Sequence, residues 1–340
     1  MTTDRPFEHR LDELREEARR KGGVAGRGVD IAAGPIPAQP GYYGEPVVRP
    51  PVWTWEISTY FFVGGCGGMA GVIAAAALAF GHTEVTRAAM WMALVAAILS
   101  PVLLILDLGR PLLFFNMLRV FKPQSPMSVG SWIVAFFGLN ASLGAIVTEI
   151  WQRQIFSDGG QTFIAIIAVL LVIGTAFWGM FLATYTGVLI SATTIPAWFL
   201  HRRLLPIHFG TAGLGSAAGL LELLGYQMAP LFALSAAAAG VETILWLALE
   251  WNKHGPADRA LHEGASGWKI RTAEFLCGPL ALALRFAGFV PASALLFCVG
   301  AALSRFGWME AGRVCGLDPE AIFASQKAGR RSAGQDTFVA

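Results

Sequence analysis

A succession of long, nearly charge-free apolar segments constrains this chain more than any other feature of its sequence. Eight such segments follow residue 53, and each has close to the ~20 residues that a helix needs to cross a hydrocarbon core of ~30 Å. Lipid offers no hydrogen-bond partner to backbone N–H and C=O groups, and the segments lack the alternation of barrel strands, so helices are expected. The predicted spans are about 55–80, 85–107, 128–150, 161–192, 207–224, 229–250, 273–288 and 290–308.

The composition agrees with an all-α integral membrane protein. Of the 340 residues, 55% are hydrophobic and 14% are charged, whereas about 25% of the residues in a soluble domain are charged. This excludes an ordinary soluble domain and a disordered chain, and the net charge of +2 provides no strong field to attract nucleic acid. Charged residues concentrate in the first 50 positions, so residues 1–52 are predicted to form a polar N-terminal arm.

The distribution of basic residues predicts the orientation in the membrane. With eight helices both chain ends lie on one side, and 22 of the 25 Lys and Arg residues fall on that side. Basic residues are enriched in cytoplasmic loops. The N-terminal arm and a C-terminal tail at 311–340 are therefore predicted to be cytoplasmic.

The sequence offers few ligands for a redox metal. Its four cysteines form no closely spaced pair, which disfavours an iron–sulfur or structural zinc site, and we predict that they are small buried residues. The six histidines do not supply two axial ligands on facing helices, which disfavours haem. A redox role would therefore need a cofactor that diffuses in the membrane.

Ionisable residues in apolar segments are costly and are candidates for function. In the first helix Glu56 and Tyr60 are four residues apart and share a face. Asp107 and Arg110 are three apart at the end of the second helix and can pair. The alternatives are that the Asp107–Arg110 pair only locks a helix end and that Glu56 is solvated at headgroup level.

Three more polar residues are predicted to lie toward the same cytoplasmic end. Ser128 can cap the third helix, Tyr185 belongs to the fourth helix, and His208 lies at the start of the fifth. For His208 a structural role is the alternative.

Two acids lie deeper in the predicted helices. Both are candidates for a proton relay: Glu242 is the stronger one, and Glu222 lies toward the outer side. The alternative for Glu242 is an uncharged structural acid held by hydrogen bonds.

Several motifs in order resemble the NrfD/PsrC family, the membrane subunits of polysulfide reductase. They are L-D-L-G-R-P at 106–111, F-x-N-M-L-R at 114–119, S-P-M-S-x-G-S-W at 125–132, Y-T-G-V-L-I-S at 185–191, R-F-G-W-M-E-A-G-R at 305–313 and D-P-E-A at 318–321. The resemblance covers about residues 53–323.

The resemblance implies two four-helix bundles, which we assign to residues 53–200 and 201–310, without bound haem. It implies a quinone site in the first bundle, facing an iron–sulfur partner subunit. Carried over by motif, Asp107, Arg110 and Tyr185 fall at that site, with Glu56 and Tyr60 a looser match. Ser128, Trp132 and His208 complete the predicted quinone-binding set. The alternative for Trp132, which taken alone is the favoured one, is anchoring in an aromatic belt at the membrane surface.

The leading hypothesis is a quinone-reactive subunit, without metal, of an oxidoreductase in the bacterial inner membrane. A cytoplasmic iron–sulfur subunit with ferredoxin-like clusters would connect it to a molybdopterin or hydrogenase-type subunit, with formate favoured as the donor. The sequence distinguishes neither menaquinone from ubiquinone nor the direction of electron flow. The alternatives are a proton- or ion-translocating subunit and a passive membrane anchor.

Overall fold

The computed structural model describes residues 48, 51, 53–108, 111–251 and 255–332, and these consist of helices and their connections, without a β-strand. The prediction of an all-α membrane protein is confirmed at this level. The predicted N-terminal arm lies almost entirely outside the described residues, as do positions 333–340 of the predicted tail.

Eight long helical stretches follow one another along the described chain, and a ninth helix closes it. They are α1 (Trp55–Ala79), α2 (Thr83–Asp107), α3 (Pro126–Gln152), α4 (Asp158–Ser191), α5 (Leu204–Leu223), α6 (Ala229–Trp251), the broken helix α7, α8 (Val290–Leu317) and α9 (Pro319–Ser332). Short helical turns occupy Pro111–Leu118, Pro196–Phe199, Gly255–Asp258 and Arg259–His262.

The helix α7 is interrupted in the middle. It consists of Gly264–Phe275, a π-helical turn at Leu276–Leu280 and Ala281–Phe286. Gly278 leaves the helical region of backbone space at φ −93° and ψ −105°, and Pro279 has no N–H to donate. The stretch begins nine residues before the predicted start at 273, because its first turns carry polar side chains that an apolar pattern does not reveal.

Seven helices in the described part of the chain are long and apolar enough to cross a membrane. They are α1 to α6 and α8, and the pieces of α7 are individually too short to qualify. The chain is a multi-pass membrane protein. The predicted count of eight spans and the two four-helix bundles remain predictions.

Small residues allow α1 to lie at the centre of the fold. A methyl group built on Gly68 would overlap the backbone of Gly179 in α4, and one built on Gly213 of α5 would lie 2.7 Å from the carbonyl oxygen of Gly65. The segments 64–71 and 210–219, both rich in small residues, thus permit close approach of the helices. Helix α1 thereby packs against α2, α4, α5 and α8.

The connections differ in length at the two ends of the helices. At one end they are 80–82, 153–157, 224–228 and 287–289, and at the other they are 108–125, 192–203 and 252–263. Helix α8 reaches this second end and extends beyond the predicted limit of 308 to Leu317. Its polar last turns form because Trp308 is buried and Gly312 lies tightly against the Trp198 ring.

Candidate functional site

A narrow cavity of about 80 Å³ opens between α1, α2, α3 and α4 at the end with the long connections. Its walls are mainly apolar, with one carboxyl and two phenol groups among them. The lining residues are Trp53, Ile57, Tyr60, Phe61, Leu104, Asp107, Leu108, Phe114, Met117, Met127, Gly130, Ser131, Val134, Tyr185 and Leu189. Three of the predicted site residues, Tyr60, Asp107 and Tyr185, are therefore brought together.

Two carboxyl groups meet at the hydroxyl of Thr54, just before α1 begins. This hydroxyl makes a short hydrogen bond to Oε2 of Glu56 and lies 3.4 Å from Oδ1 of Asp107. One hydroxyl has a single proton to donate, so the Thr54 side chain stabilises one carboxylate at a time, while the Thr54 backbone also hydrogen-bonds Asp107. Asp107, at the end of α2, is half-buried and also lines the cavity.

Tyr185 reaches across the cavity from α4 to the start of α3. Its hydroxyl donates a short hydrogen bond to the carbonyl oxygen of Pro126, and the side chain is buried. Gly130 makes this approach possible, because a methyl group there would overlap the phenol ring and its oxygen. Tyr60, which lies on α1, is also buried.

The predicted cap at Ser128 is wrong. Helix α3 begins at Pro126, and the N-cap is Ser125, whose hydroxyl accepts a hydrogen bond from the backbone N–H of Ser128. Proline favours the first helical position because its fixed φ suits the helix and it lacks the N–H that would be unpaired there. The Ser128 hydroxyl instead accepts from the N–H of Lys122 and donates to the carbonyl of Val120, which holds the preceding connection.

Two other predicted residues do not line the cavity. Trp132 belongs to a row of aromatic rings with Phe121 and Phe136. His208 is buried one turn inside α5, in a separate polar cluster. Arg110, predicted to pair with Asp107, lies outside the described residues.

The cluster around His208 combines polar side chains of four helices. His208 Nδ1 lies 2.6 Å from Oε2 of Glu242, and Nε2 lies 2.7 Å from the Ser304 hydroxyl and 3.5 Å from Oε1 of Glu274. Arg305 is buried beside them. The structure thus connects two predicted residues, His208 and Glu242, in one buried network.

Glu222, the other acid predicted to relay protons, forms a buried ion pair. Both of its oxygens accept hydrogen bonds from Arg285, at 2.6 and 2.7 Å, and the Ser235 hydroxyl lies 3.3 Å from Oε2. A bidentate pair of this kind fixes both side chains.

Sequence reasoning did not single out several residues of these sites. Thr54 and Gly130 carry no charge and gave no signal, although Gly130 falls inside a quoted motif. Glu274 and Arg305 lie just inside the ends of the predicted helices 273–288 and 290–308 and were not considered as intramembrane ions, and Arg305 was counted with the basic residues of the cytoplasmic side. The observed helices start earlier, at Gly264, and end later, at Leu317. A prediction with these longer helices would have placed both ions inside the membrane.

Comparison with known proteins supports the same family as the sequence motifs. The profile of the polysulphide reductase NrfD family matches residues 47–251, which is 205 of the 340 residues. The motifs at 305–313 and 318–321 lie beyond the match, and no curated protein matches the chain significantly. Members of the family are membrane subunits of oxidoreductase complexes, generally with iron–sulfur and molybdopterin partner subunits. The chain belongs to the polysulphide reductase NrfD family.

Proposed function

We propose that this chain is the quinone-reactive membrane subunit of a multisubunit oxidoreductase. It would pass electrons between a cytoplasmic iron–sulfur subunit and the quinone pool of the bacterial inner membrane. The observation that carries the proposal is the single cavity that gathers Asp107, Tyr60 and Tyr185 within apolar walls at one end of the helices.

The chemistry of the cavity wall fits a quinone headgroup. Apolar side chains suit a flat ring, and a carboxyl and phenols can exchange hydrogen bonds with carbonyl or hydroxyl oxygens. The cavity, at about 80 Å³, is smaller than the ~300–1,000 Å³ of typical ligand sites. Entry of a ring therefore requires the wall to move, and Met117 and Met127 provide unbranched side chains that can do so.

A quinone would supply a carrier of two electrons and two protons, and the surrounding residues would manage the protons. Asp107 is half-buried at the cavity mouth, where it can exchange a proton with water and deliver it inward. Thr54 can stabilise the Asp107 carboxylate, or turn to Glu56 when Asp107 is protonated. The Thr54 hydroxyl can thus serve either of two nearby carboxyls, and the Thr54 backbone provides a further hydrogen bond to Asp107.

The hydrogen bond of Tyr185 determines which ligand it suits. A phenol donates one proton and can accept hydrogen bonds, and here the proton is committed to Pro126. Tyr185 therefore presents a lone pair that can accept from a hydroxyl group. It can donate to a carbonyl ligand only after releasing Pro126.

Family membership and basic-residue asymmetry support the rest of the proposal. The partner would dock at the end with the long connections and carry ferredoxin-like clusters, with a molybdopterin subunit behind it and formate favoured as its donor. Arg305 is buried in α8 rather than in a loop. Without Arg305, the great majority of the Lys and Arg residues still fall on the side of the two chain ends. We therefore keep the proposal that both termini are cytoplasmic.

The replacement Asp107→Asn tests the proposal in the assembled complex. Turnover with quinone should fall roughly 100-fold or more, the scale for a positioned acid or base. Reduction of a soluble artificial acceptor by the partner subunits should stay near the wild-type rate, because that electron route ends before the membrane. The matched control is Asp158→Asn, which removes an exposed carboxylate at the opposite end of the helices and should leave both rates unchanged.

Two results would contradict the proposal. Equal losses in the two assays would indicate failed assembly and favour the passive anchor. Unchanged rates in both would remove Asp107 from the mechanism and leave Glu56 as the acid at the cavity mouth.

A further inference from the structure

The second half of the chain contains four ionisable side chains packed together inside the helices. His208 of α5, Glu242 of α6, Glu274 of α7 and Arg305 of α8 are each at most 3% exposed. The Thr211 hydroxyl makes a short hydrogen bond to Oε1 of Glu242. Charge at such depth persists only where it is balanced within the cluster.

Arg305 is held by groups other than the two carboxyls. Its Nη2 donates to the carbonyl oxygen of Phe209 at 3.0 Å, and its guanidinium lies 3.8 Å from the centre of the Phe209 ring. Its Nη1 lies 3.3 Å from the Ser304 hydroxyl and 3.4 Å from Nε2 of His208. The cation is therefore fixed beside the histidine.

Counting charges shows that the cluster is one proton short of neutrality. Two carboxylates and one guanidinium sum to −1 when His208 is neutral. One added proton brings the sum to zero, and two sites for it lie close together, since His208 Nε2 is 3.5 Å from Oε1 of Glu274. The other oxygen of Glu274 is buried and has no hydrogen-bond partner among the described residues, so this carboxyl is poorly stabilised as an anion.

We infer that this cluster binds one exchangeable proton, shared between His208 and Glu274. The proton comes from water and returns to it, so no electron transfer or further reactant is needed. The groups that face the shared proton from the neighbouring helices are Glu242, Arg305 and the Ser304 hydroxyl, and Cys277 lies nearby on α7 itself.

A metal ion is the competing occupant, and the contacts favour the proton. One ligand atom from each of His208, Glu242 and Glu274 lies within 4.8 Å of the others. Both ring nitrogens of His208 already have hydrogen-bond partners, however, and the Arg305 cation lies 3.4 Å from Nε2. A second cation at this point would be repelled.

The proton site lies one aromatic layer behind the candidate quinone cavity. Phe61 lines that cavity, and its ring centre is 6.0 Å from that of Phe209, on which Arg305 rests. Glu274, Ser304 and Arg305 lie beyond the part of the chain that matches the family profile. The inference concerns a site separate from the cavity and does not depend on quinone chemistry there.

Infrared difference spectroscopy tests the inference on the purified full-length chain, with its partner subunits where they copurify and without turnover. Spectra recorded in H₂O and D₂O between about pH 5 and about pH 8, the range in which histidine titrates, report protonated carboxyls. Specific isotope labelling of histidine reports imidazolium. We expect wild-type protein to take up one proton in the cluster, whereas Glu274→Gln should lose this uptake, because the cluster is then neutral with a neutral His208.

Two further variants separate proton binding from a folding defect. Glu263→Gln changes an exposed acid just before α7 and should keep the wild-type titration. His208→Gln removes the imidazole, so Glu274 should hold the proton alone and a protonated-carboxyl signal should replace the imidazolium signal. This second result would not arise from unfolding, which exposes the carboxyl to water.

Three outcomes would overturn the inference. One is wild-type protein without a titrating carboxyl or imidazole signal in this range. Another is a titration that persists unchanged in both Glu274→Gln and His208→Gln. The third is a stoichiometric metal ion in wild-type protein that disappears in Glu274→Gln, which would make the cluster a metal site.

Discussion

The contact between Gly130 and Tyr185 provides the sharpest test of the candidate cavity. In Gly130→Ala the added methyl group would overlap the oxygen and two ring carbons of Tyr185. Both residues line the cavity, and both are held by rigid helices. We expect the Tyr185 ring to swing away from Pro126, lose its hydrogen bond and obstruct the cavity.

The size of the effect follows from three contributions. Overpacking costs about 1–3 kcal/mol, and the lost hydrogen bond costs about 0.5–1.5 kcal/mol. Alanine in place of glycine returns about 1 kcal/mol through its helix propensity. The net cost is therefore about 0.5–3.5 kcal/mol. If all of it falls on quinone binding, the affinity of the site for quinone becomes about 2- to 400-fold weaker.

The assay compares quinone titrations of the assembled complex for two variants in the same helix. Gly138→Ala is the matched control, because a methyl group there meets open space. It should leave the KM for quinone unchanged, whereas Gly130→Ala should raise it, with the soluble-acceptor rate preserved in both. If Gly130→Ala and Gly138→Ala give the same KM for quinone, Tyr185 does not bound the binding site and the assignment of this cavity fails.

Two further predictions concern the membrane and its buried charges. A reporter fused after Ala340 should behave as cytoplasmic, and one inserted near Ser157 should behave as external. The reverse pattern of reporter activity would contradict the predicted orientation and would place the partner subunit on the other side of the membrane. Arg285→Met should lower stability by about 3–5 kcal/mol, because it leaves Glu222 buried without its cation, and adding Glu222→Leu should recover most of the loss. Thermal unfolding of the purified variants measures this, and equal stability of the single and double variants would show that the pair does not act as a unit.

The order of the helices could be predicted from the sequence because lipid restricts the chain to helical spans. Six of the eight predicted segments agree with the observed helices to within about three residues at each end, a margin typical of helix boundaries. The exceptions are the helices whose ends are polar. The first turns of α7 and the last turns of α8 pack against each other, with Gly307 close to Ile270, and such pairing is invisible to a pattern of apolar residues.

The same limit applies to the residues of the candidate sites: those placed by helix direction could be predicted, and those placed by one specific contact could not. Asp107 and Tyr185 could be predicted to lie near each other, because alternating helix directions bring the end of α2 and the end of α4 to one side. The role of Gly130 depends on a close approach between two specific helices, and that of Thr54 on a backbone that precedes α1. Neither follows from residue type or spacing.

The two polar centres of the chain differ in what they can do with a proton. Asp107 is half-buried and lines the cavity, beside a second carboxyl and a hydroxyl that can serve either one, so under the proposed function it would exchange its proton with water during turnover. Glu274 is almost fully buried, with a histidine on one side and an arginine nearby, so a proton bound there exchanges with water less readily than one on Asp107. Phe209 contacts both Phe61 of the cavity wall and Arg305 of the cluster. The two centres therefore share this ring as a neighbour, and because the interior is densely packed, we expect it to be the contact through which a ligand in the cavity would influence the deeper site.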